Sequence, residues 1–174
     1  QDFDGLVIAF PQDENIKGNG VANEGVVSTR LGLKGIPNLA EELQIARNLF
    51  LLEYTGGKLH IPTISTTTSA ALVKEAKAKG LAVTCSVAVH HLVLTDEKLE
   101  VSPPLRTEED RKALIAAVLD GTIDMITSDH NPIDIEHKKM EFDAAKNGTI
   151  GLESAFGSLL TVLPLETIIE KLTA

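Results

Sequence analysis

Four short apolar runs alternating with helix-period stretches constrain this chain more than any other feature. The runs are Gly5 to Phe10, Lys58 to Ile64, Leu81 to Val87 and Ile123 to Thr127. They are close to continuously apolar rather than alternating, as expected of strands covered on both faces. Between them, Leu39, Leu43, Ala46, Leu49 and Phe50 fall at helical spacing within Leu39 to Tyr54, which Gly56-Gly57 ends. A second helix is predicted from Thr68 to Lys79, capped by Ser65 or Thr66, with Ala71, Leu72 and Ala76 on its buried face and Gly80 as its stop. A third opens at Thr107 and runs to Leu119, with Glu108, Glu109 and Asp110 at its positive end. Helical segments from Leu152 to Leu163 and Leu165 to Leu172 close the chain, and residues 11 to 36, rich in Gly and Asn, are predicted to be a long loop. Strands separated by helices pair in parallel through right-handed crossovers. With aromatic content of 3% and no Trp, the core has to be aliphatic, which layered α/β packing accommodates.

The last of these runs carries the strongest hint of chemistry. Thr122-Ile123-Asp124-Met125-Ile126-Thr127-Ser128-Asp129-His130-Asn131-Pro132 is an apolar segment ending in an acid, an imidazole and a turn. A buried strand would deliver Asp129 to its carboxyl mouth, where α/β proteins collect reactive groups. The structural alternative is a turn with a self-capping Asp before Pro132.

Composition narrows the function classes. A net charge of -9 over 174 residues argues against nucleic acid and against anionic membranes, since both need a basic surface. Small molecules and proteins are the expected partners. The single Cys85 has no partner for an internal disulfide, and no apolar run is long enough for a signal or a membrane span. The expectation is one globular unit in a reducing, cytoplasmic setting.

Further segments gather around the Asp129 mouth. They are Asn23-Glu24-Gly25, Leu31-Gly32-Leu33-Lys34-Gly35-Ile36-Pro37, Gly56-Gly57-Lys58-Leu59-His60-Ile61-Pro62-Thr63-Ile64-Ser65-Thr66, Val83 to Leu92 with His90-His91, Ser102-Pro103-Pro104-Leu105-Arg106, and Gly148-Thr149-Ile150-Gly151-Leu152-Glu153. In this order and at these intervals the chain resembles the C-terminal half of a dihydroorotase, in the metal-dependent amidohydrolase superfamily. The resemblance implies an α/β fold: half of a TIM (β/α)8 barrel across residues 1–174, with four parallel strands corresponding to strands five to eight. A complete barrel needs roughly 200 to 250 residues or more. The chain opens at a strand without an initiator Met and stops within a helix, so it reads as a fragment.

The resemblance implies zinc, a hydroxide generated on it, and a carboxylate that takes and returns a proton. Asp129 matches the family's final-strand Asp, both metal ligand and catalytic base. The other positions depart from the pattern. Where the family has a ligand His after its fifth strand this chain has Phe10, with no lone pair to offer. In the pattern Leu-His-Ile-x-His-x-Ser-Thr the ligand position is Thr63, while His60 matches the non-ligand imidazole. A Thr hydroxyl is a poor zinc ligand. Ser102 stands where an Asn would present an amide to the substrate ring, and Ile133 where another His would hold its carboxylate. The substrate-side positions are then Ser102, Pro103, His130 and Gly151.

No zinc is therefore expected on this chain. His90-His91 is expected to serve loop packing and hydrogen bonding, and His137 to sit on a solvated helix. The resemblance implies a small-molecule substrate in pyrimidine biosynthesis, or a non-catalytic partner of an aspartate transcarbamoylase. Hydantoinase- or allantoinase-type activity is the other alternative. Half a barrel also leaves strand edges and an inner face open, predicting self-association through Val7, Ile61, Val83 and Ile126.

Overall fold

The computed structural model describes residues 4–96 and 101–173. Its main element is a four-stranded, all-parallel sheet of β1 (Leu6–Ile8), β4 (Lys58–Ile61), β5 (Val83–Ala88) and β6 (Met125–Thr127), in that spatial order. The crossovers carry α3 (Leu39–Thr55), α4 (Thr67–Ala78) and α6 (Glu108–Leu119), as predicted within one or two residues. Sequence chemistry explains their ends. Thr66 Oγ1 accepts from Ser69 N and Thr107 Oγ1 from Asp110 N, two side-chain N-caps. Gly56 closes α3 at φ 69°, a left-handed conformation in which glycine carries no steric penalty.

The period-two geometry of the strands sorts their side chains. The register pairs Val7 with Leu59, Leu59 with Val83, Ile61 with Cys85, and Val87 with Ile126, so these seven residues share one face. From Leu59 onward they are buried in one core with Ile45, Leu49 and Leu52 of α3, Val73 of α4 and Leu114 and Val118 of α6. The expected inner residues Val7, Ile61, Val83 and Ile126 therefore lie on the helix-facing side. The barrel-interior side carries Leu6, Ile8, Lys58, His60, Thr84, Ser86, Met125 and Thr127 instead. The correction is one of parity: a continuous apolar run does not say which alternate residue faces the helices. All three β1 residues are exposed, including Ile8 at 67%. A cavity of about 520 Å³ lies between β1 and α3, lined by Val7, Ala9, Asn48, Leu52 and Leu59.

Other differences are local. The strand expected to reach Ile64 stops at Ile61, because the chain bends at Pro62 and Thr63, with Thr63 at φ 54°. The predicted loop at residues 11–36 contains α1 (Glu14–Lys17), α2 (Val26–Leu31) and a two-stranded parallel sheet of β2 (Ala22–Asn23) and β3 (Gly35–Ile36). Each is too short to show a periodicity. His90-His91 falls within α5 (Val89–Val93), not a loop. Beyond β6 come α7 (Ile135–Lys138), then α8 (Ala155–Leu159), shorter than predicted, and α9 (Leu165–Thr173). Ala155, Leu159, Leu163 and Ile168 of this last region complete the core.

Candidate functional site at the strand mouths

The carboxyl ends of the strands converge on one small area. β1 delivers Phe10 and Gln12, β4 delivers Thr63, β5 leads into His90 and β6 into Asp129. Two of these residues hold left-handed backbone without being glycine: Thr63 at φ 54° and Asp129 at φ 47°. For a β-branched residue such a conformation is an outlier costing of order 1–3 kcal/mol, and it persists only where surroundings impose it. At Thr63 the imposition is visible, since its N–H donates to Ser86 Oγ (3.2 Å) and the next residue, Ile64, donates to Ser86 O (2.9 Å).

Asp129 sits at the mouth as the sequence predicted. No hydrogen bond ends on its carboxylate among the described residues; Oδ2 lies 3.9 Å from Nε2 of His90, so it is not a self-capping Asp. His90 is 5% exposed, and neither ring nitrogen has a hydrogen-bond partner. Burial pushes its pKa below the ordinary value, with the Asp129 charge opposing. His91 is fully enclosed: burial first, then neighbouring His90, hold it neutral well below its usual range, while its Nε2 bonds to Pro103 O at 3.1 Å. The expected hydrogen-bonding role thus holds for His91 and not for His90. The sequence rule that singled out Asp129 applies equally to His90, two residues beyond β5; its carboxylate partner is near in space and distant in sequence, which hid it.

The other predicted residues are placed as follows. Ser102 reaches Gln12 Oε1 at 3.5 Å, and its peptide bond to buried Pro103 is cis. His130 is exposed, its Nδ1 accepting from Leu152 N at 3.3 Å. Gly151 packs its backbone against the carbonyl of Ser128, where a Cβ would collide, and Gly148 at φ 148° comes similarly close to Asn131 O. These glycines fasten the 147–151 segment to the Asp129 loop. His137 lies on α7 with Nδ1 2.7 Å from Asp134 Oδ2.

A buried polar network supports the mouth from behind. Arg106 Nε donates to Ser65 Oγ (3.0 Å), and Nη1 to Asn23 Oδ1 (2.9 Å) and Ile36 O (3.1 Å). Glu41 lies 3.7 Å from Arg106 Nη2 and accepts from Ser65 N, Ser65 Oγ and Thr66 N. This ties α3, the β2–β3 sheet, the turn after β4 and the Ser102 loop together.

The donor set does not fit a resident zinc. Structural and catalytic zinc take three or four His, Cys or carboxylate ligands. No group of three or more such residues is placed to hold a metal ion among the described residues. Phe10 and Thr63 offer none.

A parallel sheet with crossover helices and chemistry-bearing residues at the strand mouths defines a partial amidohydrolase-type barrel. D-hydantoinase (dihydropyrimidinase) from Thermus sp. superposes with a TM-score of 0.79 at 23% identity, covering 95% of this chain and 41% of that one. L-hydantoinase (dihydropyrimidinase) from Arthrobacter aurescens gives 0.78 at 23%, covering 96% and 41%. At that identity the likeness speaks for fold alone. Sequence narrows it: residues 1–69 match the dihydro-orotase-like family model. The chain is 46% identical over 168 residues to a dihydroorotase of Caldanaerobacter subterraneus, covering 92% of this chain and 39% of the relative. It is 45% identical over 176 residues to one of Pelotomaculum thermopropionicum, covering 97% and 41%. The chain belongs to the dihydroorotase-like family, and it spans about two fifths of the length of these curated relatives.

Proposed function

We propose that this chain is the C-terminal part of a dihydroorotase-like barrel whose metal and substrate positions are degenerate. Relatives of its kind would hydrolyse or form a cyclic amide, dihydroorotate from carbamoyl aspartate in pyrimidine biosynthesis; this chain is read as unable to do so. The observation that carries the reading is the ligand deficit at an otherwise well-formed mouth, with Phe10 and Thr63 at two metal positions and no three-ligand group among the described residues. Ser102 and Ile133 in place of an Asn and a His support the same conclusion on the substrate side. A second reading, a non-catalytic partner of an aspartate transcarbamoylase, is favoured by the preserved core beneath those lost ligands. The protein is read as cytoplasmic, and no helix among the described residues is long and apolar enough to cross a membrane.

Metal analysis after dialysis, paired with a dihydroorotate turnover assay on the full-length protein, tests this. The expected result is no stoichiometric zinc on this chain and no turnover at ordinary enzyme rates, roughly 1 to 10³ per second. One tightly held zinc ligated through Asp129, or such turnover, would overturn it. Phe10→His with Thr63→His should raise metal occupancy in the full-length protein, with activity returning only when Ser102→Asn and Ile133→His are added.

A further inference from the structure

We propose that His90 and Asp129 form a two-point, metal-independent binding site for a small molecule that presents an N–H beside a carbonyl, as a cyclic amide or ureide does. The proposal rests on the reading that the metal positions are lost, and goes beyond it by assigning a use to what remains. Its starting point is an unexplained cost. His90 is 5% exposed and both ring nitrogens are shielded, yet neither makes a hydrogen bond. Buried polar groups are nearly always paired, so a group left without a partner points to one that is missing.

Geometry names the kind of partner. His90 Nε2 faces Asp129 Oδ2 at 3.9 Å, too far for a direct hydrogen bond. An imidazole carries an N–H in either protonation state, while a carboxylate only accepts. The pair thus offers one donor and one acceptor side by side. In a cis amide the nitrogen and oxygen of the polar edge lie about 2.3 Å apart, as standard bond lengths require. Two hydrogen bonds of about 2.9 Å, splayed slightly outward, span from that edge to groups 3.9 Å apart. The ligand N–H donates to Asp129 Oδ2 and its carbonyl accepts from His90 Nε2.

The surroundings support a site rather than an accident. Asp129 keeps left-handed backbone at φ 47°, and Thr63 at φ 54° on the neighbouring strand mouth does the same. Backbone strain collects at functional sites, where the surrounding structure imposes it. The Asp129 side chain is 38% exposed, so the acceptor is open to an incoming molecule while His90 is held beneath it.

The test is calorimetric titration of the chain with dihydroorotate in EDTA, for the wild type, His90→Phe and Asp129→Asn. Saturable binding in EDTA is expected, weakened roughly tenfold or more by either substitution, as loss of one buried hydrogen bond implies. Nitrogen-15 spectra of the wild-type imidazoles give a readout that does not depend on the His90 variant folding: the His90 ring signals should move on titration. No binding in EDTA, binding indifferent to both substitutions, or unmoved His90 signals would each overturn the proposal. Zinc-dependent turnover would instead defeat the degenerate-site reading, so the two failures are distinguishable.

Discussion

Removing the Glu41 carboxylate should be among the most damaging single changes to this fold. Arg106 is 4% exposed and Glu41 2%, so both charges are out of water. In Glu41→Ala the guanidinium keeps only neutral acceptors, Ser65 Oγ, Asn23 Oδ1 and Ile36 O. The N–H groups of Ser65 and Thr66, both fully buried, lose the acceptor they share. Breaking a buried pair by deleting one partner costs ~3–5 kcal/mol, whereas replacing both by apolar groups is often neutral or better. Against a total stability of ~5–15 kcal/mol this is a large fraction. At a urea m-value of about 2 kcal/mol/M it lowers the midpoint by about 1.5–2.5 M. Far-UV circular dichroism is the suitable probe, since the chain has no Trp and one Tyr. Glu41→Met with Arg106→Met should recover most of the loss. A Glu41→Ala cost below about 1 kcal/mol, or a double variant no better than the single, would refute the reasoning.

Acid should destabilise the fold through its buried imidazoles. His91, and to a lesser degree His60 and His90, have pKa values lowered by burial, so their stabilising contribution is present above the unfolded value of 6.5 and is lost as pH falls below it. Thermal midpoints at pH 7.5 and 5.5 should differ, and His91→Gln should shrink the difference; an unchanged difference would contradict this. The Cys85 thiol, pushed up to about 12 mainly by burial, should react with thiol reagents at pH 8 only as fast as the chain unfolds; rapid modification of the native chain would show the site to be open. The exposed β1 edge should drive self-association at micromolar concentration, visible by light scattering and reduced by Ile8→Lys. A stable wild-type monomer would sink that expectation.

What the sequence disclosed followed from how local each signal was. The three crossover helices were legible because apolar periodicity and caps such as Thr66 and Thr107 are local properties. The parallel order followed from connection rules. Strand facing was not legible, since runs such as Leu81 to Val87 are apolar at both parities and only pairing register separates Val83 from Thr84. The β2–β3 sheet escaped because each strand has two residues. At the site, Asp129 was found by its place at a strand end. His90 was seen but assigned to packing, because its relation to Asp129 arises across the sheet. The Glu41–Arg106 network was invisible for the same reason, its members being scattered from Asn23 to Arg106.

The alternation of strand side chains has an evolutionary consequence. Residues that hold the helices against the sheet, such as Leu59, Ile61, Cys85 and Val87, belong to a different set from those at the mouths, such as Phe10, Thr63 and Ser102. A substitution in the second set leaves the packing of the first untouched, so selection for a foldable chain does not detect it. Such a scaffold can shed its reactive groups one at a time, with each intermediate still soluble and heritable, and so becomes free to be recruited for another task.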